Sequence, residues 1–291
     1  MRQIFIVVLL FLLTACQPLA TIAPTPLPPT ETPLLPTPTP TPIPAAAVIN
    51  GERLTLDEFN AELTRYQQAQ TALGQTIDEQ SATSAVLDEL IAETLLAQGA
   101  HEAGFRLEDA ALQTRRDQLA AKMGGEQALL DWQKSQGYTE ESFRLALRRN
   151  AEAAWMRDKI ATEIPQKTEQ AHVRQILTYN ATDAQEVSDQ LAAGANFNDL
   201  AAIYDPLTQG DIGWFPRNYL LAPEVETAAF ALEVGVVSPV IQSAIGYHVI
   251  TVLERQPDRL LAPDALLTLQ SRAVSDWLTN RRQNSQIILA P

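Results

Sequence analysis

The chain has 291 residues and carries 35 acidic against 21 basic side chains, a formal net charge of −14 at pH 7. A surface this acidic argues against nucleic acid as a partner and against direct adsorption to anionic lipid, because both bind basic surfaces. Cys16 is the only cysteine, so no disulfide can form within the chain.

The first residues have the layout of an export signal. Arg2 and the terminal amine supply positive charge, residues 4–13 are all apolar, and small residues stand directly before Cys16. An apolar run this short cannot cross a bilayer as a permanent helix. The segment resembles the bacterial lipoprotein signal, which implies a signal peptide over 1–15 and a lipid on Cys16. The resemblance also implies an extracytoplasmic protein held to a bacterial membrane by that lipid. The alternative is an ordinary secretory signal with an incidental thiol.

Proline and threonine dominate residues 16–47, the segment that follows the signal. Proline fixes φ and removes a backbone donor, so neither a helix nor a central strand can run through such a segment. Its expected conformation is extended polyproline II. We therefore predict a disordered tether that separates the lipid from a folded part. A ligand for a proline-recognition domain is the alternative.

The pattern of residues 48–166 predicts a helical module. Thr55 and Glu58 have the spacing of a capping box, and apolar residues then recur at three- and four-residue intervals. Glycines separate the successive helical patterns. The predicted helices are 55–71, 84–102, 108–123, 126–135 and 139–161.

This helical module offers no residues for chemistry. It contains no cluster of His, Cys or carboxylates with the spacing of metal ligands or of a catalytic group. Trp132 and Trp155 are expected in its core. The sequence predicts neither a metal site nor a cofactor.

The pattern changes in residues 167–256, where strand and helix signals alternate. Residues 173–179 and 236–253 are rich in β-branched and apolar residues, whereas 184–193 and 197–204 have helical spacing. This mixture predicts an α+β domain.

Six sequence blocks follow one another in this α+β domain. They are Gln175-Ile176-Leu177, Gly194-Ala195-Asn196-Phe197-Asn198-Asp199-Leu200-Ala201, Gly210-Asp211-Ile212-Gly213-Trp214-Phe215, Pro223-Glu224-Val225-Glu226 with Ala229-Phe230-Ala231-Leu232, Val237-Ser238-Pro239-Val240, and Gly246-Tyr247-His248-Val249-Ile250. Any one block is weak by itself. Together and in this order they strongly resemble a parvulin-type peptidyl-prolyl isomerase domain covering 167–256. The resemblance implies a small antiparallel sheet surrounded by helices.

The segments on either side extend the resemblance. They contain Val48-Ile49-Asn50-Gly51-Glu52, Leu95-Leu96-Ala97-Gln98 and Asp276-Trp277-Leu278. These look like parts of the SurA/PrsA type of exported chaperone-foldase. In that family an N-terminal helical module and a C-terminal helix pack together around an inserted isomerase domain.

Residues 257–291 are accordingly predicted to form a helix that packs on the helical module. The apolar residues of this segment recur at three- and four-residue spacing and so form one face of a helix. They are Leu266, Leu269, Ala273 and Trp277. A free-standing amphipathic helix is the alternative.

The isomerase resemblance implies a set of catalytic residues by position. His248 matches the C-terminal histidine of the pocket, Ser243 the neighbouring hydroxyl, and Asp205 an acidic or thiol position before the Gly-Asp block. The alternatives are a structural histidine near a strand for His248 and a simple turn or cap residue for Asp205. Gln175 stands where active family members usually carry histidine, and this is the largest departure from the family's pattern. His172 is not expected to substitute, because alternate residues of a strand point to opposite faces.

The apolar wall of the pocket is implied in the same way. Where the family commonly has methionine and two phenylalanines, this chain has smaller side chains. The expected substrate-contacting residues are Leu221, Val225, Ile245 and Ile212.

The function that these resemblances imply is prolyl isomerisation in aid of folding of exported proteins. Rotation about a peptide bond has a barrier of about 18–20 kcal/mol, and X-Pro bonds exchange slowly enough to delay folding. The expected partners are unfolded or proline-containing exported polypeptides. The alternative is a lipid-anchored chaperone or binding module with a weak or inactive parvulin domain. A structural lipoprotein of the envelope is a third hypothesis.

Overall fold

The computed structural model describes residues 44–290, so the predicted signal peptide, Cys16 and most of the predicted tether lie outside the described residues. The N-terminal elements are β1 (Ala45–Ile49), β2 (Glu52–Thr55), α1 (Leu56–Ala72), α2 (Glu79–Glu102), α3 (Asp109–Met123), α4 (Glu126–Ser135) and α5 (Glu140–Thr162). The central elements are β3 (Lys167–Thr178), α6 (Ala181–Ala192), α7 (Phe197–Tyr204), β4 (Asp211–Pro216), α8 (Pro223–Ala231), β5 (Ile241–Ser243) and β6 (Gly246–Leu260). The chain closes with α9 (Pro263–Gln283) and β7 (Ile287–Leu289). Within the described part, no helix combines the length and the apolar character needed to cross a membrane.

Side-chain caps determine where the first helices begin. The Glu58 backbone N–H donates to Thr55 Oγ1 at 3.2 Å, and α1 starts directly after this cap, close to its predicted position. The Ser81 backbone N–H donates to Asp78 Oδ1 at 2.9 Å in the same way. Because of this second cap, α2 starts well before the predicted position 84. The five helices predicted for the module are all present.

A three-stranded sheet with the order β2-β1-β7 is the part of this module that its sequence does not predict. β1 lies partly inside the range predicted as tether, so the prediction of 16–47 is wrong for residues 45–47. Asn50 and Gly51 take positive φ angles of 50° and 86° to turn β1 into β2. The Gln286 backbone N–H donates to Asn50 Oδ1 at 2.9 Å and ties this hairpin to the C-terminal segment. These strands are too short to show a periodic pattern in the sequence. β1 and β7 also lie far apart along the chain, so no local signal reveals that they pair.

The closing helix α9 packs on the N-terminal helices, as predicted. Trp277 lies against Gly99 of α2, so closely that a Cβ added to Gly99 would stand 2.7 Å from two carbons of the indole ring. Ala273, Val274 and Leu278 pack beside Trp277. The buried residues they cover come from α2 and α5 and are Leu96, Ala100, Ala153, Met156 and Ile160. The helical module therefore shares one core with the end of the chain.

The two tryptophans of the N-terminal helices differ in burial. Trp155 stacks on Phe105 with ring centroids 4.6 Å apart and packs against the core beneath α9, as expected. Trp132 is 38% exposed, so the expectation that it lies in the core is wrong. Its ring meets the ring of Phe143 edge-on, with the two ring centroids 6.1 Å apart.

The central elements form a four-stranded antiparallel sheet with the order β4-β3-β6-β5. β3 and β6 pair from Lys167 opposite Leu260 to Thr178 opposite Tyr247. On one face, α8 packs against buried residues that include Val173 and Val252. On the other face, α6 and α7 pack against Ile176 and Val249. The predicted fold class is confirmed: an α+β arrangement in which a small antiparallel sheet is surrounded by helices.

Candidate active site

Gln175, Ser243 and His248 come together on one face of this sheet. Gln175 pairs with Ile250 across the strands, so its side chain shares a face with His248, two residues away along β6. Ser243 lies on the neighbouring edge strand β5. His248 Nδ1 is 3.0 Å from Gln175 Oε1, and His248 Nε2 is 2.8 Å from Ser243 Oγ. The three side chains form one hydrogen-bonded network with the imidazole at its centre.

The donors and acceptors of this network determine where its protons lie. A carboxamide oxygen only accepts hydrogen bonds, so His248 Nδ1 carries the hydrogen and donates to Gln175. The other nitrogen of a neutral imidazole accepts, and its donor is the Ser243 hydroxyl. Ser243 Oγ in turn accepts from the Ile245 backbone N–H at 3.2 Å. All donation therefore runs one way, from the Ile245 amide to the carboxamide of Gln175.

The electrostatic setting keeps this imidazole uncharged. His248 is only 1% exposed, and burial lowers its pKa because the charged form loses its hydration. The negative charge of Glu224 acts in the opposite direction but does not cancel the effect of burial. His248 is thus neutral at pH 7, which is the state that the hydrogen-bond directions require.

Asp205 belongs to a different group of contacts. It follows α7 and accepts hydrogen bonds from the backbone N–H groups of Leu207 and Thr208 at 3.1 and 3.2 Å, and from the Thr208 hydroxyl. The Thr208 hydroxyl and these backbone groups lower the pKa of the half-buried Asp205 carboxyl. The structure therefore shows Asp205 as the cap of a turn and gives it no bond to His248.

The residues predicted for the apolar wall differ in what they can offer a ligand. Leu221 is 88% exposed and Ile245 is 50% exposed, so both present apolar surface to solvent. Val225 is 1% exposed and packs in the core under α8, so it provides no surface for a substrate. Ile212 is half-buried and packs against the same core. For Val225, the expectation of direct substrate contact is corrected to support of the wall from behind.

His172 lies apart from the network. Its ring stacks on Trp214 with centroids 5.3 Å apart, and its Nε2 is 2.8 Å from Asp211 Oδ1. Neither partner belongs to the group around His248. His172 does not replace the histidine that Gln175 lacks.

Gly210 is a residue of the site whose role the sequence does not reveal. The Gln175 backbone N–H donates to the Gly210 carbonyl at 2.8 Å. A Cβ on Gly210 would stand 2.0 Å from the Gln175 carbonyl oxygen, and its φ of +73° also favours glycine. The Gly-Asp block marks this position, but only the fold shows that it touches Gln175.

Metal ligands are not grouped in the part of the chain that the structure describes. No set of three or more His, Cys, Asp or Glu side chains there is placed to hold a metal ion. The side chains that meet at His248 are hydrogen-bonding groups, a carboxamide and a hydroxyl.

Two protein families match successive parts of the chain. Residues 43–137 match the SurA-like N-terminal domain, and residues 165–265 match the PPIC-type PPIase domain. The chain therefore combines a SurA-like N-terminal domain with a parvulin-type peptidyl-prolyl isomerase domain, and both predicted resemblances are confirmed.

The alignments with similar proteins are long enough to include both domains. The foldase protein PrsA of Halalkalibacterium halodurans is 31% identical over 225 residues, which are 69% of this chain and 64% of that protein. The foldase protein PrsA of Caldanaerobacter subterraneus is 27% identical over 233 residues, 70% of this chain and 71% of that protein. A crystal structure of the peptidylprolyl isomerase PrsA from Bacillus anthracis gives a TM-score of 0.43 at 21% identity, covering 68% of this chain and 94% of that one. The chain thus spans less than two thirds of the Halalkalibacterium protein.

Proposed function

We propose that this protein is a peptidyl-prolyl cis–trans isomerase that assists the folding of exported proteins outside the cytoplasm. The observation that carries the proposal is the network of Gln175, His248 and Ser243, closed at 3.0 and 2.8 Å within a domain of the PPIC type. The relatives named foldase and chaperone support it.

The network suits the transition state of the reaction. A planar amide gains its stability from resonance, which separates charge, and the twisted amide loses that separation. An uncharged site beside apolar surface therefore binds the twisted form better than the planar forms, and such preference lowers the barrier. His248 is neutral and buried, and Ile245, whose backbone N–H donates to Ser243, exposes its side chain next to the network. The exposed side chain of Leu221 is proposed to add to this apolar surface. No covalent bond has to be formed or broken.

Gln175 can also contribute hydrogen-bond donors. Its Oε1 is occupied by His248, which directs the carboxamide nitrogen away from the imidazole. Among the described residues that nitrogen bonds to no other side chain, so its two N–H groups are available to a peptide carbonyl. We propose that these donors orient the substrate in place of the histidine that is common in the family.

The helical module is proposed to hold unfolded clients near this site. Large apolar side chains are exposed along it, and an unfolded chain can bind them through its own apolar residues. They include Leu73, Leu130, Trp132 and Leu145. The clients would be unfolded or proline-containing polypeptides.

An isomerase assay tests the proposed function. We expect the fragment 43–291, which is one compact unit of the structure, to accelerate cis–trans exchange in a short peptide with a single X-Pro bond. Exchange spectroscopy by NMR measures this rate directly, and the same peptide with alanine for proline is the blank. A fragment that suppresses aggregation of an unfolded protein yet leaves the exchange rate at its uncatalysed value would establish the binding-module alternative instead.

The lipid anchor on Cys16 is a separate proposal, since that residue lies outside the described residues. We expect Cys16→Ser to abolish acylation and to leave the protein unbound to membrane or as an uncleaved precursor. Membrane fractionation and the intact mass of the protein measure both effects. Thr37→Ser, a similar exchange within the tether, is the control and should keep both lipid and membrane. An unchanged mass and unchanged membrane retention in Cys16→Ser would show that there is no lipid at this position.

A further inference from the structure

The turn that joins α7 to β4 is closed by one side chain. Asp205 Oδ1 accepts from the backbone N–H groups of Leu207 and Thr208 at 3.1 and 3.2 Å, and its other oxygen accepts from the Thr208 hydroxyl. The Gln209 backbone N–H also donates to the Asp205 carbonyl at 2.9 Å. Gln209 has a φ of +55°, a conformation that a side-chain-bearing residue adopts only when its surroundings hold it. The backbone carbonyl of Asp205 holds Gln209 directly, and its carboxylate fixes Leu207 and Thr208 in the same turn.

The far end of the same turn rests on the strand that carries Gln175. The Gly210 carbonyl accepts from the Gln175 backbone N–H at 2.8 Å, and the two residues are too close for any side chain on Gly210. The position of this turn therefore constrains the backbone of Gln175. That backbone in turn places the carboxamide 3.0 Å from His248 Nδ1.

We propose that Asp205 is a positioning residue that acts through Gly210 on Gln175, and that it acts as a hydrogen-bond acceptor and not by its charge. The inference rests on the proposed isomerase function. Asp205 is half-buried in a turn whose next four residues are exposed, so water and salt around the turn weaken the field of its carboxylate at the buried imidazole of His248. Its bonds within the turn, by contrast, are short-range and directional. An asparagine at this position keeps an oxygen that can accept from the same two backbone groups.

Three variants of fragment 43–291 separate acceptor from charge. We expect Asp205→Ala to lower kcat/KM for prolyl exchange about tenfold, and Asp205→Asn to stay within about threefold of the native value. The control is Asn196→Ala, because Asn196 caps the other end of α7 by accepting from the backbone N–H groups of Asn198 and Asp199 at 2.8 and 3.3 Å. This control removes an equivalent cap without touching the turn, so it should keep kcat/KM within about twofold.

Hydrogen exchange of the Gln175 amide gives a second readout that does not depend on activity. We expect Asp205→Ala to speed this exchange, because the bond to the Gly210 carbonyl opens more often, and Asp205→Asn to leave it slow. If Asp205→Ala does not fold, Thr208→Val removes the hydroxyl donor alone and should change both readouts in the same direction by less. Equal loss of activity in the Asn and Ala variants would show that the charge matters and overturn the proposal. Unchanged exchange at Gln175 in Asp205→Ala would overturn it as well. An inactive native fragment would refute the isomerase function, while the exchange measurement would still decide the positioning role.

Discussion

Replacing Trp277 with alanine should lower the free energy of unfolding of the helical module by about 3 kcal/mol, within the range known for large-to-small changes in a core. The indole lies on Gly99 and packs beside a buried cluster that α2 and α5 provide. Trp277 is half-buried, so its loss removes this packing and uncovers the buried cluster beneath it. Urea unfolding of fragment 43–291 followed by far-ultraviolet circular dichroism at the helical wavelengths measures the change.

A matched control exists on the same module. Trp132 is 38% exposed, so Trp132→Ala should cost about 1 kcal/mol or less, although it deletes the same side chain. Gly99→Ala tests the contact from the other side. Its Cβ would stand 2.7 Å from the Trp277 ring and should cost about 1–3 kcal/mol by overpacking. Equal effects of the two tryptophan substitutions would contradict the shared core, as would a Gly99→Ala variant that is as stable as the native protein.

Much of the helical module could be predicted because its signals are local. The periodic apolar residues and the Gly124-Gly125 pair define α3 and α4, and α4 lies at 126–135, where the pattern places it. The pairing of β1 with β7 could not be predicted, because neither strand is long enough to show alternation. Asn50 adds side-chain bonds from the β1–β2 turn to Ser285 and Gln286, and these contacts are visible only in the fold.

In the candidate site, motif positions predicted which residues to examine but not what each one contacts. His248, Ser243 and Gln175 do form one network, and strand alternation placed His172 on the other face. Whether Val225 faces a ligand or the core depends on how α8 sits on the sheet, and the structure buries it. For a residue in a turn or on a packed helix, spacing in the sequence does not determine which way its side chain points.

The second large effect concerns the imidazole at the centre of the network. His248→Ala should lower kcat/KM for prolyl exchange at least about tenfold, because it removes both hydrogen bonds that order Gln175 and Ser243. His172→Ala is the matched control, since it deletes the other histidine of this sheet on the opposite face and should stay within about twofold. Similar losses in both variants would mean that the fold, and not the network, is being disturbed.

The pH dependence follows from the lowered pKa of His248. Activity should persist as the pH falls through the ordinary histidine range, and it should fall only when the pH reaches the lowered pKa and the buried ring takes up a proton. Stability behaves differently, because the unfolded chain binds that proton at higher pH than the folded one. The free energy of unfolding should therefore begin to fall as soon as the pH drops below the ordinary histidine pKa. If activity already declines in the ordinary pH range of histidine titration, together with the free energy of unfolding, then burial does not lower the pKa of His248.

Gln175→His restores the residue common in the family and should raise kcat/KM by up to about tenfold, which corresponds to about 1.4 kcal/mol of transition-state stabilisation. The backbone of position 175 is already fixed by the Gly210 carbonyl at 2.8 Å, so the new imidazole would stand beside His248 where the carboxamide now lies. Two rings that share a hydrogen bond titrate as a pair, so the variant should also lose activity at a higher pH than the native protein. Suppression of client aggregation should not change, because it depends on apolar surface and not on the network. The contradicting result is a Gln175→His variant with the kcat/KM of the native protein and the same loss of activity at low pH. It would mean that glutamine at position 175 does not weaken catalysis.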